Sequence, residues 1–277
     1  MPELPETETI ARDLDREVRG RRIAGVHVER ADVLREVSAA DLPARVTGAA
    51  VDRAWRRAKL VVLDLSSGER LVVQPRFTGA LLLDAPDRPL PDRERRYSTL
   101  HLRLDDGRDL HYRDIRRLGT VALMGPERWR RYAGALGVEP LDPAFTALHL
   151  SDLLRGSRQA IKKVLMDQRQ VVGVGNIYAN EALWRAGIDP SRAARSLDTD
   201  EAARLRDEVV GVLTESIAAR GTSFRDYLDA SGRRGGFVDR LAVYGRGGQP
   251  CPRCGARLID TQAVDGRTTV FCARCQG

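Results

Sequence analysis

The chain has 277 residues and 30.7 kDa, 42% hydrophobic and 5% aromatic, with a formal net charge of +7 and a pI near 9.6. That length allows two domains and a small appendage. No apolar run reaches the ~20 residues that span a bilayer, and the start Met-Pro-Glu-Leu-Pro-Glu lacks the basic and apolar stretches of a signal peptide, so a cytoplasmic protein is expected. The basic balance favours a polyanionic partner.

Pro5 to Arg19 reads as a helix: Pro stands in the first turn, Ile10, Leu14 and Val18 recur every four residues, and Gly20 stops it. From there to about Met124 the period is two. Leu60–Leu65 and Leu71–Val73 flank Ser66-Ser67-Gly68, and Leu100, Leu102 and Leu104 run through Asp105-Asp106-Gly107 into Leu110 and Tyr112, two hairpins of an antiparallel β domain. After Gly125-Pro126 the pattern is helical. Ile161, Val164 and Leu165 share one face, and Leu205, Val209, Val212 and Ile217 another; Asp198 with Glu201 forms a capping box, and Gly221 ends that helix. Thr222 to Phe237, rich in Gly, Ser and Arg, reads as a mobile loop.

The four cysteines form two C-x-x-C pairs, Cys251/Cys254 and Cys272/Cys275, the spacing that presents thiolates to one tetrahedral zinc ion. Disulfides require an oxidising compartment, and a redox dithiol requires a strand-to-helix setting; neither suits pairs set among Gly, Pro and Arg. One structural Zn²⁺ is expected, in a hairpin with almost no core of its own. From Ser231 to Gly277 there are eight Arg, no Lys, three Asp and no Glu, a surplus of five positive charges suited to reading phosphates. Gly173-Val-Gly175-Asn176, between two helical segments, lets backbone N–H groups and a helix start meet an anion. A dinucleotide fingerprint needs a third glycine where Tyr178 stands.

Four separated segments in order, Pro2-Glu3-Leu4-Pro5-Glu6, Arg57-Ala58-Lys59, Asp167 to Tyr178, and Val243-Tyr-Gly-Arg246 before the cysteines, resemble the formamidopyrimidine-DNA glycosylase family across nearly the whole chain. The resemblance implies an α+β protein: an N-terminal antiparallel β-sandwich domain with an N-terminal helix (1–125), a linker (126–145), a helix-two-turn-helix DNA-binding domain (146–221), a lesion-capping loop (222–240) and a four-cysteine zinc-finger β-hairpin (241–277). It implies a bifunctional glycosylase and AP lyase of base-excision repair, a monomer acting on damaged double-stranded DNA at the nucleoid in the bacterial cytosol, with no membrane partner.

It further implies that Met1 is removed and the Pro2 amine is the nucleophile. An α-amine titrates near ~7.7 to 8.0, so much of it is free base at neutral pH. The nearby helix start lowers that value, while Glu3 and Glu6 oppose the change. By resemblance Glu3 protonates the deoxyribose ring oxygen, Glu6 is a further active-site carboxylate, Lys59 assists base loss and β-elimination, and Arg267, counted with this catalytic set, contacts lesion phosphates and is linked to δ-elimination. DNA contacts are implied for Phe77, Tyr97, Arg116, Leu118, Arg158 and Asn176; Phe77, Arg116 and Leu118 fill the gap left by a flipped base.

The chain departs from the family pattern in places. Phe77 and Leu118 stand for the usual Met and Phe, Tyr97 for a common His, and Lys163 for a Pro; the cysteine pairs lie seventeen residues apart, one more than usual. Bland readings compete for two of the candidates, a Phe77 packed in the core and a Lys59 on a strand pointing to water. The rival functions are an endonuclease VIII-like enzyme for oxidised pyrimidines, which generally lacks the loop at 222–237, and a non-enzymatic zinc-ribbon DNA-binding protein.

Overall fold

The computed structural model describes residues 2–277, which divide into two compact units, 2–134 with 219–238 and 135–218 with 239–277. The first begins with α1 (Leu4–Val18). Glu3 is its N-cap and donates its backbone N–H to the Glu6 carboxylate at 2.8 Å, while Ile10, Leu14 and Val18 are fully buried. Strands β1 (Ile23–Val28) and β2 (Leu34–Arg35) and helix α2 (Asp41–Val46) follow, then β3 (Val51–Arg57), β4 (Leu60–Leu65), β5 (Arg70–Gln74) and β6 (Gly79–Asp84). Helix α3 (Asp92–Arg95) leads to β7 (Ser98–Leu104), β8 (Asp109–Asp114) and β9 (Thr120–Met124), and α4 (Pro126–Gly134) closes the first stretch.

The strands make two sheets, of order β1-β7-β8-β6 and β2-β9-β5-β4-β3. Both expected hairpins are present, with Leu63 opposite Leu71 and Leu102 opposite Leu110. One continuous apolar core takes residues from both sheets and from α1, which is the β-sandwich. A single pairing departs from the antiparallel expectation: β2 lies parallel to β9 over two residues, too short to mark a sequence period.

The second unit contains α5 (Ala147–Arg155), α6 (Ile161–Met166), α7 (Asn176–Ala186) and α8 (Thr199–Ala218), with β10 (Ile259–Thr261) paired to β11 (Thr269–Phe271). Asp198 and Glu201 exchange the reciprocal bonds of a capping box. Helix α8 stops at Ala218, before Gly221, and both Arg220 (φ 63°) and Gly221 (φ 85°) are left-handed. The C-terminal hairpin has more core than its composition promises: Val243, Leu258 and Val270 are buried beside Cys251 and Cys272, and Trp184 of α7 packs against them. Among the described residues no helix is long and apolar enough to cross a membrane.

Residues 222–237 correct the expectation of a mobile loop. Thr222 bridges Gly236, Tyr227 and Ala230 join the apolar core, and Leu83 of β6 donates to the Ala230 carbonyl at 2.9 Å. Asp229, fully buried, accepts from Ser231 N, Ser231 Oγ and Arg233 N at 2.8 to 2.9 Å, and its other oxygen takes Arg220, which also reaches Asp13 of α1. Polar anchors do here what apolar residues do in a strand, and they leave no periodic trace.

Glu181 of α7 has the same role in the other unit. Fully buried, it accepts the backbone N–H groups of Ala242, Val243 and Tyr244 at 2.8 to 2.9 Å, fixing the chain as it enters the cysteine hairpin. Glu181→Ala orphans three donors at once, so a loss of ~3 kcal/mol or more in unfolding free energy is expected in urea titration. A loss below ~1 kcal/mol, ordinary for a surface site, contradicts this.

Candidate active site and nucleic-acid interface

Pro2, Glu3 and Glu6 are all buried at the start of α1. The Glu6 carboxylate spans two segments: one oxygen takes Glu3 N and the other takes Thr222 N, both at 2.8 Å. The N-terminal residues and the loop at 222–236 are thereby fixed to each other. Lys59 is half-buried in the two-residue turn between β3 and β4, so the reading of a strand lysine does not hold. Its neighbour Ala58 is forced to φ 55°, a strained region for a non-glycine residue. Arg56 steadies the turn, donating to the Ala58 carbonyl at 3.1 Å while pairing with Glu8 of α1 at 2.8 Å. Burial alone raises the Glu8 carboxyl, but the Arg56 charge and hydrogen bond outweigh it and hold the group below the usual range. One ion pair thus ties the Lys59 turn to the helix that begins beside Pro2.

Phe77, Arg116 and Leu118 stand on two adjacent loops. Phe77 is 46% exposed and Leu118 40%, and the Arg116 guanidinium lies 5.1 Å from the Phe77 ring centre, so Phe77 is no core residue. Asp114, buried at the end of β8, binds the loops together: it accepts from Thr78 Oγ1 at 2.5 Å and Gly119 N at 2.8 Å, and Thr78 Oγ1 accepts in turn from Arg116 N at 2.9 Å. Both loops need glycine for close approach. A Cβ on Gly79 meets the Pro75 carbonyl oxygen at 2.3 Å, and one on Gly119 meets the Tyr112 hydroxyl at 1.9 Å. Arg113, 1% exposed, donates to the Thr78 carbonyl at 2.5 Å and the Asp226 carbonyl at 2.9 Å, and pairs with Glu94 at 2.9 Å. It joins the Phe77 loop to the segment at 222–236. Tyr97 is half-buried before β7, its ring under Arg96 at 5.1 Å.

In the other unit Asn176 opens α7 and donates to the Thr268 carbonyl at 2.9 Å, placing it beside Arg267 in the β10–β11 turn. Gln168 shapes the two turns before α7, accepting from Gly173 N and donating to the Met166 and Val174 carbonyls. Lys162, fully buried, reaches Thr269 Oγ1 at 2.7 Å, the Thr268 carbonyl at 3.2 Å and Asp265 at 3.4 Å. Arg158 is exposed between α5 and α6. Arg113, Lys162 and Glu181 escape sequence reading because each binds across long stretches of chain, as Asp114 does to Thr78.

The four cysteine sulfurs all lie within 4.8 Å of one another. Cys254–Cys272 and Cys251–Cys275 are separated by 3.5 and 4.0 Å, far beyond a disulfide's ~2.05 Å and close to the ~3.8 Å between ligands of a tetrahedron with ~2.3 Å Zn–S bonds. The donor set fits one structural Zn²⁺.

Residues 1–121 match the formamidopyrimidine-DNA glycosylase N-terminal domain, 136–227 its H2TH domain and 248–277 a zinc finger found in FPG and IleRS. The formamidopyrimidine-DNA glycosylase of Roseiflexus sp. (strain RS-1) is 42% identical over 279 residues covering all of both chains, and that of Moorella thermoacetica is 44% identical over 260 residues, 93% of each. Among solved structures, Lactococcus lactis Fpg in complex with abasic-site DNA aligns with a TM-score of 0.90 at 30% identity over 99% of both chains. MutM (FPG) of Thermus thermophilus aligns at 0.87 and 38% identity, covering 100% of this chain and 99% of that one. Sandwich, helical unit and zinc hairpin together are those of a bifunctional DNA glycosylase and AP lyase. The chain belongs to the formamidopyrimidine-DNA glycosylase family.

Metal binding drives the fold of such hairpins by ~10 to 16 kcal/mol in peptides. Cys254→Ser, or chelation, is expected to release the zinc and abolish lesion-duplex binding while the β signal of the first unit persists. Tight lesion binding by zinc-free protein contradicts this.

Proposed function

We infer that the chain removes oxidised purines, 8-oxoguanine and formamidopyrimidines, from duplex DNA and cleaves the resulting abasic site by β,δ-elimination, with Pro2 as the nucleophile. The observation that carries this reading is the Glu6 carboxylate holding both the Pro2-Glu3 segment and the loop at 222–236, which joins the nucleophile to the element suited to cap a flipped purine. That loop also favours purine removal over the endonuclease VIII-like alternative. A non-enzymatic zinc ribbon has no use for a buried N-terminal carboxylate pair. The enzyme works as a monomer in the bacterial cytosol, at the nucleoid.

In the proposed mechanism the free amine of Pro2, exposed by loss of Met1, attacks C1′; the N–C1′ bond forms as the glycosidic bond breaks and the base departs. Base loss requires Glu3, which protonates the ring oxygen as C1′ is attacked and opens the sugar; the Pro2 N–H proton leaves with the departing base, and the resulting iminium, on a secondary amine, has no N–H proton to lose. Its positive charge acidifies C2′–H, and loss of that proton expels the 3′ phosphate. Loss of the C4′ proton then expels the 5′ phosphate, and water hydrolyses the iminium to free Pro2. Lys59 assists base loss and β-elimination; Glu6 positions the segment. Asn176, Arg158 and Arg267 take backbone phosphates, and Phe77, Arg116 and Leu118 occupy the vacated stack, with Tyr97 a further DNA contact.

Borohydride trapping on duplexes carrying 8-oxoguanine, an oxidised pyrimidine or an abasic site tests the reading. Strong trapping on 8-oxoguanine and on the abasic site supports it; no trapping on any duplex, or preference for the pyrimidine, overturns it. Glu3→Gln is expected to abolish base removal and largely spare cleavage of a preformed abasic site, and equal loss of both activities contradicts the ring-protonation role.

Phe77→Ala is expected to slow duplex processing by roughly tenfold to a hundredfold, the worth of ~1 to 3 kcal/mol of stacking, while leaving single-stranded abasic cleavage nearly intact. Because Phe77 is exposed, Tm should hardly move. A large fall in Tm with both substrates affected alike would show that the ring is structural.

A further inference from the structure

A recess of about 360 Å³ between α6 and the β10–β11 turn is lined by Gln159, Lys163, Asp167, Arg169, Asp265 and Arg267. Its carboxylates are already neutralised from within. Asp167 is paired with Arg169 at 3.0 Å, and Asp265 receives Lys162 Nζ at 3.4 Å and Arg267 N at 3.0 Å. Among the described residues neither the Lys163 ammonium nor the Arg267 guanidinium has a carboxylate partner, and both residues are exposed. Two uncompensated cations therefore face one polar recess.

The chain has 43 arginines and only three lysines, Lys59, Lys162 and Lys163. Two of the three are consecutive on α6, and successive helical residues point ~100° apart. Lys162 turns inward and holds Thr268 and Thr269 of the hairpin; Lys163 turns outward into the recess. The inner lysine fixes the wall that carries Arg267, and the outer one supplies a second charge at a set place beside it. An ammonium is a compact, strongly hydrated point charge, suited to a phosphate oxygen approached from any direction rather than to a bidentate partner.

We propose that Lys163 is a further DNA-contacting residue, binding with Arg267 in this recess a phosphodiester of the DNA backbone. This rests on the DNA-repair reading above and adds to it a phosphate contact that the catalytic set does not require. The contact is electrostatic and blind to sequence, so it contributes affinity and register rather than lesion choice.

Equilibrium binding of the full-length, zinc-loaded protein to a duplex with a tetrahydrofuran abasic analogue, which forms no iminium, tests the proposal between about 0.05 and 0.2 M KCl. Each phosphate neutralised contributes ~0.9 to the slope of log K against log salt, so Lys163→Gln should flatten the slope by about that amount and weaken binding roughly eightfold at ~0.1 M salt. Lys163→Arg should keep the wild-type slope, and the Tm of Lys163→Gln should stay unchanged, as at an exposed site. Wild-type slope and affinity in Lys163→Gln overturn the assignment, as does a Lys163→Arg variant that behaves like Lys163→Gln. Failure of the wild-type protein itself to bind the duplex would instead overturn the DNA-repair reading beneath it.

Discussion

Buried carboxylates that accept backbone N–H groups hold this protein's irregular segments in place. Glu6, Asp114, Glu181 and Asp229 are each at most 1% exposed, and each takes N–H donors from a loop that no sheet or helix ladder reaches. Taking a carboxylate out of water is costly unless hydrogen bonds replace the lost hydration, and two or three charge-assisted bonds do so. The reverse holds as well: a loop with N–H groups on a buried carboxylate cannot shift without stripping that charge of its partners. The segments fixed this way are the ones that carry Pro2 and Glu3, Phe77 and Leu118, and the stretches at 222–236 and 242–244.

The same places store backbone strain. Of the five non-glycine residues with positive φ among the described residues, Ala58 precedes Lys59, Arg76 precedes Phe77, Arg117 lies between Arg116 and Leu118, and Arg220 leads into the loop at 222–236. Such conformations cost on the order of 1 to 3 kcal/mol each and persist only where the surroundings dictate them. The Arg56 bond to the Ala58 carbonyl, the Thr78–Asp114 bond and the Arg220 pairs with Asp13 and Asp229 supply that constraint. In the roles proposed for Lys59, Phe77 and Leu118 such rigidity helps, because geometry fixed in advance need not be fixed on binding.

Much of this was legible in the amino-acid order because the relevant signals are local. The four-residue recurrence of Ile10, Leu14 and Val18, the alternation around Ser66-Ser67-Gly68, and two C-x-x-C pairs each specify a structure within a few residues. What was not legible is long-range and polar. Glu6 and Thr222 are 216 residues apart, and Arg113 and Asp226 are 113 apart. Thr222 to Phe237 therefore read as a loose loop on its Gly, Ser and Arg content, since nothing in the segment announces that Asp229 will be buried against Arg220. Lys162 gives no sequence signal for the same reason, its partners lying in a hairpin over a hundred residues away. Lys59 was picked out by resemblance, yet its place in a strained turn came only from the strand register.

In the proposed mechanism the α-amine of Pro2 performs the chemistry, with the carboxylates of α1 and the Lys59 turn in support. Mass spectrometry of the borohydride-reduced complex formed on 8-oxoguanine duplex, after digestion, reads the bonded atom directly. The sugar remnant is expected on the N-terminal peptide, at the Pro2 nitrogen, and blocking this amine is expected to abolish the adduct. A remnant on the peptide containing Lys59, or undiminished trapping with the N-terminus blocked, contradicts it.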